Sequence, residues 1–205
     1  MNIKEAIRNF NINSLKPTIV EVRRLNGSVI RSNKYGLEIE EYNATSRPEP
    51  NFSCYGYIPN FEPDLQIGKI NLPEFTILFG SVDVARNLDV LKANNVTHVI
   101  NLISNVVPNY FPEVFQYLSL VVYDTLVFEL RDTIHQCCDF LQLVRQSGGC
   151  CFVHCQAGLS RAPSIVIAYL VIIYDFSYEE AYSMVNNARN VCININFRSQ
   201  LKRLS

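Results

Sequence analysis

Residues 150–174 read CCFVHCQAGLSRAPSIVIAYLVIIY. An apolar run of strand length ends in His154 and Cys155, five small or uncharged residues follow, and Arg161 opens an apolar run of helix length. Two readings compete for Cys155: one more buried cysteine, or a nucleophile facing an anion. Gly158 lets the loop backbone curl, and Pro163 suits a first helical turn, where no amide donor is needed. The segment therefore predicts a buried strand, a tight loop and a buried helix.

Strand and helix patterns alternate outward from this segment. FTILFG (75–80), VTHVINLI (96–103) and YLSLVVY (117–123) read as strands. Ser81 caps a helix with Val84, Leu88 and Leu91 at helical spacing, and Leu130, Ile134, Cys138 and Leu141 share one face of another, which Gly148-Gly149 stops. Ser177 with Glu180 forms a capping box for a helix through Arg189, and NFRSQLKRL (196–204) reads as the last helix. This alternation predicts an α/β fold, a mostly parallel central sheet flanked by helices. Residues 1–64 differ and read as an N-terminal arm. IKEAIRNFNI (3–12) predicts a short helix, TIVEVRRLNGSVIRS (18–32) a hairpin turning at Asn26-Gly27, and 42–64, rich in Pro, Asn and Ser, a loop or extended arm.

In such a sheet, ligands bind beyond the carboxyl ends of the strands, where helix N-termini point. Residues 156–160 sit there. Successive loop amides of Gln156, Ala157, Gly158, Leu159 and Ser160 can surround an anion, the next helix adds positive potential, and Arg161 offers a planar fork for two phosphate oxygens. The same field favours an anionic sulfur at position 155, placed to attack phosphorus in line. An ester leaving group needs a proton. Asp124 follows the strand YLSLVVY and is the candidate acid, then the base that activates water; Asp132 and Asp139 read as solvated helix charges. His154 reads as an orienting residue and His98 as structural.

The whole chain narrows the function classes. Hydrophobic residues make up 48% of its 205 residues and charged ones 18%, a globular composition. Eighteen Lys and Arg against nineteen Asp and Glu, net −1, argue against nucleic acid or an acidic membrane surface as partner. The N-terminus lacks the apolar core of a secretory signal, and the longest apolar run, 165–174, is about half of the ~20 residues a bilayer span needs. Seven cysteines with no CxxC pair read as free thiols in a reducing cytosol or nucleus, and the pairs at 137–138 and 150–151 read as core.

HCQAGLSR (154–161) matches the HCxxGxxR signature of cysteine-dependent protein phosphatases, and its interior resembles the dual-specificity phosphatases. The resemblance runs through LFGSVDVARNLDVLKANNVTHVINL (78–102), Asp124 and SYEEAYSMVNNAR (177–189), covering 65–201. In the arm, LNGSVI (25–30) and GYIPNFEPDLQIGKI (56–70) are similar to an atypical, stress-kinase-regulating branch of that family. The resemblance implies a phosphotyrosine phosphatase-like catalytic domain over 65–205 and a phosphocysteine intermediate. It implies no metal or other cofactor, and substrates among phosphotyrosine and phosphoserine/phosphothreonine proteins, with stress-activated kinases first. Two departures stand out. The family commonly carries Ser or Thr after the signature Arg, and its hydroxyl helps expel the sulfur, whereas this chain has Ala162; NVCININ (190–196) lacks the usual Pro and Gly. The first predicts slow breakdown of the intermediate, and with it an alternative reading as a slow-turnover phosphoprotein-binding or scaffold protein. Uncharged Gln156, Ala157, Leu159 and Ser160 argue against polyanionic lipid or RNA-end substrates, and Arg161 with Asp124 argues against a sulfurtransferase.

Overall fold

The central sheet runs β4-β5-β8-β6-β7, with β4 (Gly68–Asn71) antiparallel at one edge and β5 (Thr76–Gly80), β8 (Cys150–His154), β6 (His98–Asn101) and β7 (Gln116–Ser119) all parallel. The structure is a computed structural model and describes residues 63–205 and the backbone of three earlier strands. The chain divides into two compact units, Met1–Ser53 and Cys54–Ser205. In the first unit β1 (Val20–Arg23), β2 (Ser28–Ser32) and β3 (Glu38–Asn43) form an antiparallel sheet in that order. β1 and β2 are the expected hairpin strands, and β3 is one strand more than the hairpin foreseen. The helix expected over 3–12 lies outside the described residues, as does 44–62 of the loop or arm expected over 42–64, whose first two residues belong to β3.

Period-two alternation in the buried strands feeds two hydrophobic clusters, one on each sheet face. From β8, Cys151 and Val153 join the larger cluster while Cys150 and Phe152 join the smaller. The larger is covered by α3 (Arg131–Gln146), α4 (Arg161–Tyr174), α5 (Tyr178–Ala188) and α6 (Ile195–Leu201). The smaller is covered by α1 (Val82–Ala85) and α2 (Leu88–Ala93). α4 is buried along most of its length, as its unbroken apolar sequence requires, and α3 buries Ile134, Cys137, Cys138, Leu141 and Val144 on one stripe. Burial pushes the thiols of Cys138 and Cys150 up to about 12 and about 11 and raises those of Cys137 and Cys151 as well, so these four behave as core residues.

Three local readings shift. The helix expected after Ser81 is two helices: Ser81 Oγ caps α1, and Asn87 Oδ1 then accepts from the Val90 amide and starts α2. The strand expected over 117–123 ends at Ser119. Beyond it the chain still bonds residues 101–104, through Leu120 N–H to Asn101 O (2.8 Å) and Val122 N–H to Leu102 O (3.0 Å), with one antiparallel bridge, Ile103 to Val121. Gly68–Asn71, too short to carry a pattern, adds the antiparallel edge strand. The Ser177–Glu180 capping box forms as read.

Candidate active site

β5 and β8 end side by side, with Gly80 opposite His154, so the loops that follow them share the carboxyl edge of the sheet. The loop after β8 is built from its carbonyls outward. Gln156 O accepts from Val82 N–H (3.0 Å), Ala157 O from Arg189 Nη2 (2.9 Å), Leu159 O from Cys192 N–H (2.8 Å), and Ser160 O from Ser164 N–H (3.0 Å) and Oγ (2.7 Å). In a planar trans peptide the C=O of one residue and the N–H of the next point in opposite directions, and none of these bonds is cis. With the four carbonyls committed to the scaffold, the N–H groups of Ala157, Gly158, Ser160 and Arg161 turn the other way, into the loop. That is an anion nest closed by the N-terminus of α4, and Cys155, 2% exposed, lies at its start.

Gly158 makes this path possible. Its φ is +70°, and an added Cβ would stand 2.4 Å from Gly80 C, with Gly80 O and Ser81 N at 2.7 Å. Behind the loop sits Arg189, the residue that ends α5. Its guanidinium, 2% exposed, pairs with Asp64 Oδ2 at 2.5 Å and donates to the carbonyls of Gln66 and Ala157. His154 is fully buried, stacks on Phe152, and is held neutral by burial, which pushes it down to about 4. Its Nδ1 lies 3.5 Å from Cys155 O. His98 bonds Thr97 Oγ1 at 2.8 Å near the opposite, amino ends of the strands.

Asp124 reaches the same edge from the loop after β7. Ser160 Oγ donates to its Oδ1 (3.0 Å), and Asn194 Nδ2 donates to the same oxygen. Oδ2 faces Arg161 Nε at 3.8 Å, a charge contact too long for a hydrogen bond. Arg161 Nη1 donates to Val122 O at 3.2 Å, while its buried Nε has no hydrogen-bond partner. A buried guanidinium N–H without an acceptor is a donor that an oxyanion in the nest would satisfy. The Asp124 loop is strapped to α6: Asn196 Nδ2 donates to Thr125 O (3.3 Å) and Phe128 O (2.8 Å), Gln200 Nε2 donates to Phe128 O (2.8 Å), and Leu130 N–H donates to Gln200 Oε1 (2.8 Å).

The structure thus brings together Cys155, the loop 156–160, Arg161 and Asp124, while Asp132 and Asp139 stay exposed on α3. Sequence reasoning missed Arg189, Asp64, Asn194, Asn196 and Gln200. One signal was available for Asn194: it caps α6 by accepting from Phe197 N–H at 2.8 Å, and Asn before an apolar-spaced run is a start signal. Among the described residues no group of His, Cys, Asp and Glu is arranged to hold a metal ion.

The family model for the dual specificity phosphatase catalytic domain matches residues 77–205. Dual specificity protein phosphatase 19 of Mus musculus is 28% identical over 202 residues, 98% of this chain and 89% of that protein. Dual specificity protein phosphatase 1-A of Xenopus laevis is 36% identical over 137 residues, 66% of this chain but 37% of that protein. Among solved structures, the human tyrosine phosphatase-like serine/threonine/tyrosine-interacting protein superposes with a TM-score of 0.60 at 28% identity, over 66% of this chain and 93% of that one.

Proposed function

The chain belongs to the dual specificity phosphatase catalytic domain family, and from that membership we propose that it hydrolyses phosphate esters on proteins through a phosphocysteine at Cys155. The observation that carries this reading is the orientation of the 156–160 loop, four of whose carbonyls, those of Gln156, Ala157, Leu159 and Ser160, are bonded to the scaffold, beside the unsatisfied Nε of Arg161. In the first step Cys155 Sγ attacks phosphorus, the S–P bond forms and the P–O ester bond breaks. The leaving oxygen takes a proton from Asp124, whose Oδ2 is the oxygen left free of hydrogen bonds by Ser160 and Asn194. In the second step Asp124 accepts a proton from water, the water oxygen bonds phosphorus, and the sulfur departs. Arg161 and the loop N–H groups hold the equatorial oxygens throughout, and His154 sets the entry of the chain into the loop.

Phosphotyrosine and phosphoserine/phosphothreonine proteins are the substrate class, with members of a stress-activated kinase cascade the first to try. The free thiols of Cys137, Cys138, Cys150, Cys151, Cys155 and Cys192 are compatible with a reducing cytosol or nucleus. No helix among the described residues is long and apolar enough to cross a membrane.

A second reading, slow turnover with prolonged phosphoprotein binding, is favoured by one observation. Ala162 is buried without a hydroxyl, Ser160 Oγ donates to Asp124, and Ser164 Oγ donates to Ser160 O. Neither neighbouring serine has a proton left for the departing sulfur. The test compares wild type with Cys155→Ser on phosphotyrosine and phosphothreonine peptides. Wild type should release phosphate from both while Cys155→Ser binds them without release. Release by the variant within tenfold of wild type would remove Cys155 from the mechanism.

A further inference from the structure

Large apolar side chains left in water are normally few and scattered. Around the phosphate loop they are grouped. Leu126 and Val127, in the loop that carries Asp124, are 68% and 85% exposed, and Ile195, at the start of α6, is 71% exposed. Leu159, in the phosphate loop itself, is 38% exposed. Each lies one to three residues from a side chain of the proposed site, and each is held by that site's own hydrogen bonds. Asn196 clamps the carbonyls of Thr125 and Phe128 on either side of Leu126 and Val127, Asn194 beside Ile195 bonds Asp124, and Leu159 O accepts from Cys192 N–H. Four exposed apolar side chains therefore sit on the three backbone segments that these bonds tie to the nest and to Asp124.

Charge points the same way. Segments 120–130, 155–161 and 190–196 carry three charged residues, Asp124, Glu129 and Arg161. Arg161 is taken by the phosphate in the nest. Arg189 is 2% exposed behind the loop, its Nη groups bond Asp64 and the carbonyls of Gln66 and Ala157, and its Nε is buried without a hydrogen-bond partner, so its charge is paired with Asp64 and is not presented at the rim. A second phosphate or an acidic flank at this rim would meet carboxylates and apolar surface.

We infer that the site selects a protein segment carrying a single phosphate whose neighbours are apolar, with Leu126, Val127, Ile195 and Leu159 as the surface that reads those neighbours. This rests on the phosphatase reading of the same site. Apolar flanks remove water from the exposed rim and also dry the nest, strengthening its hold on the phosphate.

The experiment uses full-length protein and three peptides with one central phosphotyrosine: Leu and Val flanks, Asp and Glu flanks, and Leu and Val flanks with a phosphothreonine two residues away. Each kcat/KM is divided by that of the same preparation on a small aryl phosphate, so chemistry and selection are read separately. The apolar-flanked peptide should exceed the acidic one by about 10- to 200-fold, the scale on which apolar pockets discriminate, and the second phosphate should bring no gain. L126S/V127S should collapse that ratio, and Ile195→Lys should shift it toward the acidic and doubly phosphorylated peptides. Aryl phosphate turnover with equal rates on all three peptides would overturn the rim while leaving the phosphatase reading in place. So would tenfold preference for the doubly phosphorylated peptide, or faster release from anionic phospholipid vesicles than from any peptide. No turnover of the aryl phosphate would sink the phosphatase reading itself.

Discussion

Replacing Gly158 by Ala should cost far more activity than stability, and a matched glycine measures the difference. Gly148, just after α3, has φ +62° and nothing within 4 Å of an added Cβ; Gly158 has φ +70° and backbone atoms at 2.4 and 2.7 Å. Both alanines carry the left-handed backbone strain, about 1–2 kcal/mol for an L residue. Only at position 158 must backbone move as well, since the Cβ is about 1 Å short of ordinary contact with Gly80 and Ser81. That shift falls on a loop whose amides have to meet phosphate oxygens, and misplacement of about 1 Å costs on the order of 10²-fold in rate. Gly148→Ala should therefore lose about 1–2 kcal/mol in urea unfolding and keep kcat/KM within a factor of about 2. Gly158→Ala should lose at least that stability and about 10²-fold in kcat/KM on a small aryl phosphate. Equal activity in the two variants would refute the claim that close packing of Gly158 on Gly80 holds the nest in shape.

Asp124→Asn should slow esters with poor leaving groups by about 10²–10⁴-fold and activated esters much less. Asn194→Ser, which keeps an oxygen to cap α6 but lacks the amide donor to Asp124, should show the same leaving-group bias more weakly; uniform slowing would contradict the acid role. Ala162→Ser should raise steady-state turnover roughly ten- to a hundredfold, the value of one hydrogen bond to a charged group, while leaving the burst of leaving group unchanged. Identical burst and steady-state rates in wild type, seen in a rapid-quench trace, would contradict slow expulsion of the sulfur. His154 gives a pH test. Its folded value of about 4 lies below the ordinary 6.5, so between those pH values the unfolded chain binds the extra proton and stability falls as pH falls. The loss should be about 3 kcal/mol across that window, and urea melts of His154→Asn should decline less steeply than wild type. Parallel declines would mean His154 is not held neutral.

The strands were legible because they are short β-branched and aromatic runs, buried on both faces as the central strands of a covered sheet are, and the loop because strand, Cys155, Gly158, Arg161 and Pro163 follow one another within the fourteen residues 150–163. What the sequence hid has physical causes. GKIN at 68–71 is four residues with one glycine, and becomes a strand only because β5 offers it an edge. YLSLVVY keeps its alternation past Ser119, but its partner β6 ends at Asn101, so ladder becomes irregular pairing. Asp124 consequently sits on a loop rather than at a strand end, and needs Asn194, Asn196 and Gln200 to hold it. Those contacts span about seventy residues of sequence, and the Arg189–Asp64 pair spans 125. Polar residues that bond backbone carbonyls across such distances leave no local periodicity to read.

A covalent phosphocysteine at Cys155 can be trapped. Wild-type protein mixed with an activated aryl phosphate and quenched in acid within milliseconds should gain one phosphoryl group, mapped by peptide mass spectrometry to Cys155, and Cys155→Ser should not turn over. This species should accumulate in wild type and be much reduced in Ala162→Ser. Turnover without any phosphorylated Cys155, or a phosphoryl group mapped to another residue, would contradict the phosphocysteine mechanism.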